Sequence, residues 1–102
     1  MRTHTRKKVE LIVERQLLDA ILAVLEELAA PGYTVVPTVA GDGHAGRWHQ
    51  GAPSQPLQMV QVICITAAER VDPLLDRVMP LLDRYAGIVY LSDVEVVRGE
   101  HF

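Results

Sequence analysis

Residues 40–57 combine glycine with side chains that commonly bind anions, metals or bases. Four of the seven glycines of the chain lie here, at Gly41, Gly43, Gly46 and Gly51. Glycine lets backbone N–H groups approach an anion, and the guanidinium of Arg47 can hold a phosphate or carboxylate with paired hydrogen bonds. Such a long stretch without periodicity is unusual in a small domain. It is either a binding loop or a mobile linker between two hairpin strands.

Two histidines of the same stretch, His44 and His49, are candidate metal ligands. They are five positions apart and have no cysteine or clear third ligand nearby, so the metal signal is weak. Trp48, the single tryptophan, could stack on a base, fill a groove of a partner or pack locally. We predict no metal site here.

Motifs for catalysis are missing from the sequence. It contains no G-x-S-x-G, no H-E-x-x-H and no G-x-x-x-x-G-K-[ST]. Arg15 follows the first predicted strand, where an acylphosphatase-like hydrolase would need an anion-binding arginine, but no glycine-rich cradle surrounds it. We therefore expect that the protein is not an enzyme.

Hydrophobic periodicity predicts the elements that must position these residues. Alternation over residues 9–14 indicates a strand, and spacings of three and four from Leu17 to Leu28 indicate a helix. Pro31 and Gly32 end that helix, and Pro80 should loosen the last turn of a second one. The further elements are strands over 33–39, 58–66 and 88–97 and a helix over 72–82.

The resulting order, β-α-β-β-α-β, is typical of an α+β ferredoxin-like fold. Its four-stranded antiparallel sheet carries both helices on one face. The predicted strands 9–14 and 58–66 have apolar residues on both faces, Ile12 and Ile63 among them. In a chain of 102 residues only another subunit can cover the second face, so we expect an oligomer.

Charge and cysteine content narrow the partners and the compartment. Residues 1–8 hold four of the ten basic side chains and are interpreted as a solvated tail, and the remainder is acidic. A strongly acidic body argues against nucleic acid as a partner, and Tyr90 is the single aromatic residue that the inner strands would offer to RNA.

Cys64 lies in an apolar run and is expected to be a buried thiol. With no apolar stretch long enough to span a membrane and no signal peptide, we expect a cytoplasmic protein.

Four segments together resemble the PII signalling family. They are Gly32-Tyr33-Thr34-Val35, the glycine-rich loop after it, Tyr85-Ala86-Gly87-Ile88-Val89-Tyr90, and Asp93 to Gly99 with the ending Gly99 to Phe102. The resemblance spans roughly residues 8–102. It is strongest to the PII-like branch linked to inorganic carbon, which includes carboxysome-associated proteins and regulators of a bicarbonate transporter.

The resemblance implies a single domain over residues 9–102, assembled as a homotrimer with an adenine nucleotide in each cleft between subunits. The long loop at about 40–57 would be the family's T-loop, and residues 85–87 a shortened B-loop. The nucleotide ligands implied are Gly32 and Thr34 at the adenine, Gly41, Gly43, Arg47 and Arg98 toward the phosphates, and Tyr85, Ala86 and Gly87 in the B-loop.

Departures from the family pattern modify these expectations. Classical members carry a lysine in a glycine-rich B-loop, and this sequence has Gly87 in that neighbourhood. Fewer fixed cations favour AMP or ADP over ATP. The T-loop lacks the tyrosine that classical members modify, so control by that modification is not expected. Bicarbonate, near Arg47 and Trp48, would be a second ligand, and no catalytic cofactor is expected.

The resemblance further implies a regulator of carbon or nitrogen assimilation. The T-loop would engage a protein target such as a transporter or a carbon-assimilation component. A metal-responsive trimer of the copper-tolerance type shares the architecture and is the alternative, with His44 and His49 as its metal ligands.

Overall fold

The structure, a computed structural model, describes residues 1–43, 46–49 and 58–102. Short 3₁₀ turns precede both helices and follow the second one. The strands are β1 (His4–Glu14), β2 (Thr34–Pro37), β3 (Ala40–Gly43), β4 (Gly46–His49), β5 (Met59–Thr66) and β6 (Gly87–Val96), and the helices are α1 (Leu18–Glu27) and α2 (Val71–Val78).

Four strands form one antiparallel sheet in the order β2-β5-β1-β6, which confirms the predicted ferredoxin-like fold. Alternate residues of β1 and β5 point to the helix side, with Leu11 opposite Val62 at the centre. Each helix buries one row of apolar side chains against the sheet, so the core lies between one sheet face and two helices. Its most completely buried aliphatic side chains are Val9, Leu11, Val13, Ile21, Leu25, Val62 and Val78.

On the opposite face of the sheet, no helix of the described residues covers the strands. Ile88 and Tyr90, which lie there opposite Ile12 and Glu10, are 53% and 40% exposed. The Glu10 carboxylate accepts a hydrogen bond from the Gln61 amide at 3.0 Å, so one polar pair interrupts the apolar surface. The two-sided apolar character predicted for the sheet is therefore present, and residues 1–43, 46–49 and 58–102 of one chain leave the second face partly exposed.

The basic segment 1–8 is not a tail, which corrects the predicted domain boundary at residue 9. β1 begins at His4 and pairs with β6 from that residue onward. One basic side chain of this segment is paired across the ladder, since Lys7 Nζ lies 2.5 Å from an Asp93 carboxylate oxygen. Residues 4–8 are all polar or charged, so this part of β1 lacks the period-2 alternation of apolar residues on which the prediction depended.

The predicted irregular loop at 40–57 contains a two-stranded ribbon. β3 and β4 pair antiparallel, with Gly41 opposite Trp48 and Asp42 opposite Arg47. Gly46 has a φ of 113°, a conformation that favours glycine. His44 and residues 50–57 lie outside the described residues, as do the side chains of Trp48 and His49.

Pro80 shortens the second helix as predicted. α2 ends at Val78, and residues Met79–Leu82 continue as a 3₁₀ turn rather than to the end of an α-helix at residue 82. Proline has no N–H to donate in a helix interior. Among the described residues, no helix is long and apolar enough to cross a membrane.

The hydroxyl of Thr66 is buried next to a cavity of about 20 Å³ and has no hydrogen-bond partner among the described residues. Leaving such a group unsatisfied costs about 1–3 kcal/mol. Thr66→Val, which keeps the shape, is therefore expected to raise the free energy of unfolding by about 1 kcal/mol, as measured by urea denaturation. A lower free energy of unfolding in this variant would contradict the conclusion that the Thr66 hydroxyl is buried without a hydrogen-bond partner.

Candidate functional site

The end of the sheet where β1 finishes and β6 starts brings three connections together. The backbone N–H of Ala86 donates to Glu14 Oε2 at 2.6 Å, and the N–H of Glu14 donates to the carbonyl of Ala86 at 3.3 Å. The N–H of Arg15 donates to the carbonyl of Gln58 at 2.8 Å. The turn at Glu14 and Arg15 therefore holds both residues 85–87 and Gln58, the residue before β5.

An open depression of about 390 Å³ lies at this turn, lined by Glu14, Arg15, Gln16 and Gln58. The Gln16 side-chain amide donates to Glu14 Oε1 at 3.1 Å. Sequence reasoning did not include Glu14, Gln16 or Gln58 among the candidates. The available signal was the run of three polar residues, Glu14 to Gln16, that begins where the alternation of β1 ends.

Arg47 extends from the ribbon β3–β4 with its side chain 84% exposed. Its Nε lies 3.5 Å from an Asp42 carboxylate oxygen, across the ribbon. Exposed pairs of this kind contribute about 0.2–1 kcal/mol, so the guanidinium can exchange this partner for a more highly charged anion. Gly41 and Gly43 belong to the strand opposite, β3.

Arg98 lies at the other end of β6, two residues beyond it. Its backbone is left-handed, with φ 61° and ψ 57°, and it starts the 3₁₀ turn Gly99–His101. Among the described residues, no hydrogen bond or ion pair of its guanidinium is found. The cation is therefore exposed and available to a ligand.

The turn after Arg98 is held by the first residues of β1. Arg6 Nη2 donates to the carbonyl of Gly99 at 3.1 Å, and Arg6 Nε donates to the carbonyl of Phe102 at 3.3 Å. Gly99 is buried against His4 so closely that a Cβ at Gly99 would lie 2.6 Å from the imidazole ring. His4 and Arg6, assigned to a tail from the sequence, thus fix the backbone that carries Arg98.

Gly32 and Thr34 lie at the start of β2, on the edge of the sheet farthest from β6. Both are exposed, and nothing lies within 4 Å of a Cβ built at Gly32. Thr34 pairs with Ile63 of β5. These two residues are therefore available to a ligand or neighbour that approaches this edge.

A single chain does not bring the predicted ligands to one place. Residues 85–87 and Arg98 flank opposite ends of β6, whose ten residues span about 30 Å at the usual rise of a strand. An extended adenine nucleotide is shorter than this distance. If all the predicted residues contact one ligand, they must come from two chains.

Metal ligation and thiol chemistry have little support in the described part of the chain. It contains no cluster of three or more His, Cys, Asp or Glu side chains able to hold a metal. His44 and the His49 side chain, on which the metal-responsive alternative depends, are outside that part. Cys64 is buried, as predicted, and burial raises the pKa of its thiol, which keeps it protonated and unreactive.

Comparisons with known proteins connect this geometry to a family. A family model described as nitrogen regulatory protein P-II matches residues 6–101. CPII, a nitrogen regulatory PII-like protein from Thiomonas intermedia K12, has been solved with ADP, AMP and bicarbonate; it is 25% identical, with a TM-score of 0.89 over 99% of this chain and 96% of that one. The same protein with ADP and bicarbonate gives 27% identity and a TM-score of 0.86 over 99% and 97%. A third structure, with ADP, AMP and acetate, gives 25% and 0.85 over 100% and 98%.

Proposed function

The chain belongs to the nitrogen regulatory protein P-II family, in its CPII-like branch, and we propose that it binds AMP or ADP between the subunits of a homotrimer. The family predicted from the sequence is thus confirmed, as is the expectation of a regulatory, non-catalytic protein without a catalytic cofactor. Bicarbonate is proposed as a second ligand, because CPII has been solved with bicarbonate next to ADP and AMP.

The observation that carries the proposal is the placement of the predicted ligands at two ends of the sheet. One end offers the B-loop residues 85–87, and the ribbon with Arg47 leaves the sheet there through β2. The other end offers Arg98, about 30 Å away along β6. A neighbouring subunit that places its Arg98 end against the B-loop end of the first would complete a cleft from both sets.

The uncovered face of the sheet supports assembly. Ile88, Tyr90 and Val36 are all at least one-third exposed there. Packing three such faces together would remove this apolar surface from water. Burial of apolar surface stabilises an assembly by roughly 25 cal/mol per Å². The trimer proposed here therefore explains both the exposed face and the divided site.

Regulation is proposed to act through the ribbon and the rest of the T-loop. Ligand binding at Arg47 would compete with its weak pairing to Asp42 and select among loop conformations. The loop would then engage or release a cytoplasmic surface of a transporter or a carbon- or nitrogen-assimilation component. Trp48, next to Arg47, is the proposed neighbour of the bicarbonate.

Calorimetry with AMP, ADP and ATP, with and without bicarbonate, tests the proposal. We expect binding of AMP and ADP at micromolar to submillimolar concentration, and a mass of three chains by light scattering. Arg47→Ala is expected to weaken AMP binding about tenfold, in line with the loss of one charge-assisted hydrogen bond. Asp42→Ala is the matched control and should not weaken it, since it removes only the competing carboxylate. No nucleotide binding at millimolar concentration would refute the proposed function.

A further inference from the structure

Glu14 is a carboxylate placed where an anion would be expected to bind. It is half-buried, and its Oε2 accepts the N–H of Ala86 at 2.6 Å, a backbone donor in the proposed B-loop. Its second oxygen accepts the Gln16 amide at 3.1 Å. The side chain thus occupies a backbone donor that an entering phosphate could otherwise use.

This carboxylate has no cationic partner in the described part of the chain. The ion pairs found there join other residues. The depression that Glu14 lines contains one basic residue, Arg15, and two amides, Gln16 and Gln58. Its lining charges therefore cancel, and a ligand with several negative charges gains no net attraction from them.

We propose that Glu14 is the specificity-determining residue that limits how many phosphates the site accepts. The inference rests on the proposed nucleotide site at residues 85–87. An AMP phosphate can be bound by the arginines of the cleft while it stays clear of Glu14. Each additional phosphate extends the ligand toward the B-loop turn and adds negative charge close to a fixed carboxylate.

The size of the effect follows from Coulomb's law. Two unit charges about 8 Å apart interact by about 0.8 kcal/mol at an effective dielectric constant midway between protein surface and water, which changes the Kd about fourfold per charge. AMP and ATP differ by about two charges, so removal of the Glu14 charge should change their relative affinity by about tenfold or more. A purely structural role for Glu14 predicts a different result, because loosening the B-loop would weaken AMP and ATP alike.

Glu14→Gln separates the two roles, since the amide oxygen can still accept the Ala86 N–H while the charge is lost. The experiment measures Kd for AMP, ADP and ATP by calorimetry in magnesium-free buffer, where the phosphate charges are not masked. We expect the ratio of the Kd for ATP to the Kd for AMP to fall by about tenfold in the variant. Arg15→Gln, which removes the opposing charge from the same depression, should raise that ratio. Glu26→Gln, which removes one exposed carboxylate from α1, should leave it unchanged.

A ratio in Glu14→Gln that stays within twofold of the wild type would overturn the inference, as would a fall of the same size in Glu26→Gln. Glu14→Ala provides a second test, because it removes both the charge and the acceptor of the Ala86 N–H. This variant must also lower the ratio of the Kd for ATP to the Kd for AMP. Thermal unfolding monitored by circular dichroism confirms that each variant is folded. Wild-type protein that binds none of the nucleotides would refute the proposed function instead, so the two failures are distinguishable.

Discussion

Replacement of Arg98 by alanine is expected to weaken AMP binding by about 10- to 100-fold, the largest effect predicted for any single ligand residue. The guanidinium has no partner in the described residues and would form charge-assisted hydrogen bonds with phosphate across the subunit boundary. Such bonds contribute about 1.5–3 kcal/mol. The measurement is a calorimetric titration of AMP at fixed protein concentration.

Arg98→Gly distinguishes lost binding from lost structure. Arg98 has a left-handed backbone with φ 61°, which costs a non-glycine residue about 1–2 kcal/mol. Glycine should therefore retain or stabilise the turn and still lose AMP affinity as alanine does. Arg77→Ala, on the exposed surface of α2, is the matched control and should bind AMP normally. Normal AMP binding by both Arg98 variants would exclude Arg98 from the site.

Leu11→Ala is expected to lower the free energy of unfolding by about 3–4 kcal/mol. Leu11 is 1% exposed, lies at the centre of β1 and contacts neighbouring strands on both sides, with Val62 and Val89 opposite. Truncation of a buried leucine loses its transfer free energy and leaves a cavity that the core fills only in part. Chemical denaturation at one protein concentration measures the change, since unfolding of an oligomer depends on concentration.

Leu91→Ala is the control for this prediction. Leu91 belongs to β6 on the same face of the sheet but is 41% exposed. Its truncation should cost about 1 kcal/mol or less, because much of the side chain is already in water. Equal losses in the two variants would show that the core is not centred on β1.

The parts of the fold that sequence predicts well are those where burial alternates with the backbone period. Val9, Leu11 and Val13 point to the helices, and Leu17 to Leu28 follows a helical period, so the end of β1 and both ends of α1 were predicted close to their observed positions. The start of β1 was missed because residues 4–8 are all polar or charged, and Lys7 finds its carboxylate partner, Asp93, across the ladder. Such pairing depends on residues that are distant in the sequence.

Arg98 and the residues outside the loop were predicted from a family resemblance, whereas Arg47 was already indicated by the glycine-rich composition of residues 40–57. Arg47 and Arg98 are exposed side chains whose roles depend on a ligand and a second subunit, and no periodicity records either. Glu14 was missed because its significance comes from a hydrogen bond to Ala86, 72 positions away. Contacts of this range are set by topology, which a single sequence specifies only indirectly.

The bond between Arg6 and Gly99 also has a consequence for the order of events in folding. It joins residues 93 positions apart, so its loop must close before the contact can form. The ladder between β1 and β6 spans a similar separation, since His4 lies opposite Val96, so the turn and the ladder need the same closure of the chain. The turn that presents Arg98 is therefore held only once the first and last strands have met, and a partly folded chain has no oriented arginine there. We expect that only fully folded copies respond to nucleotide.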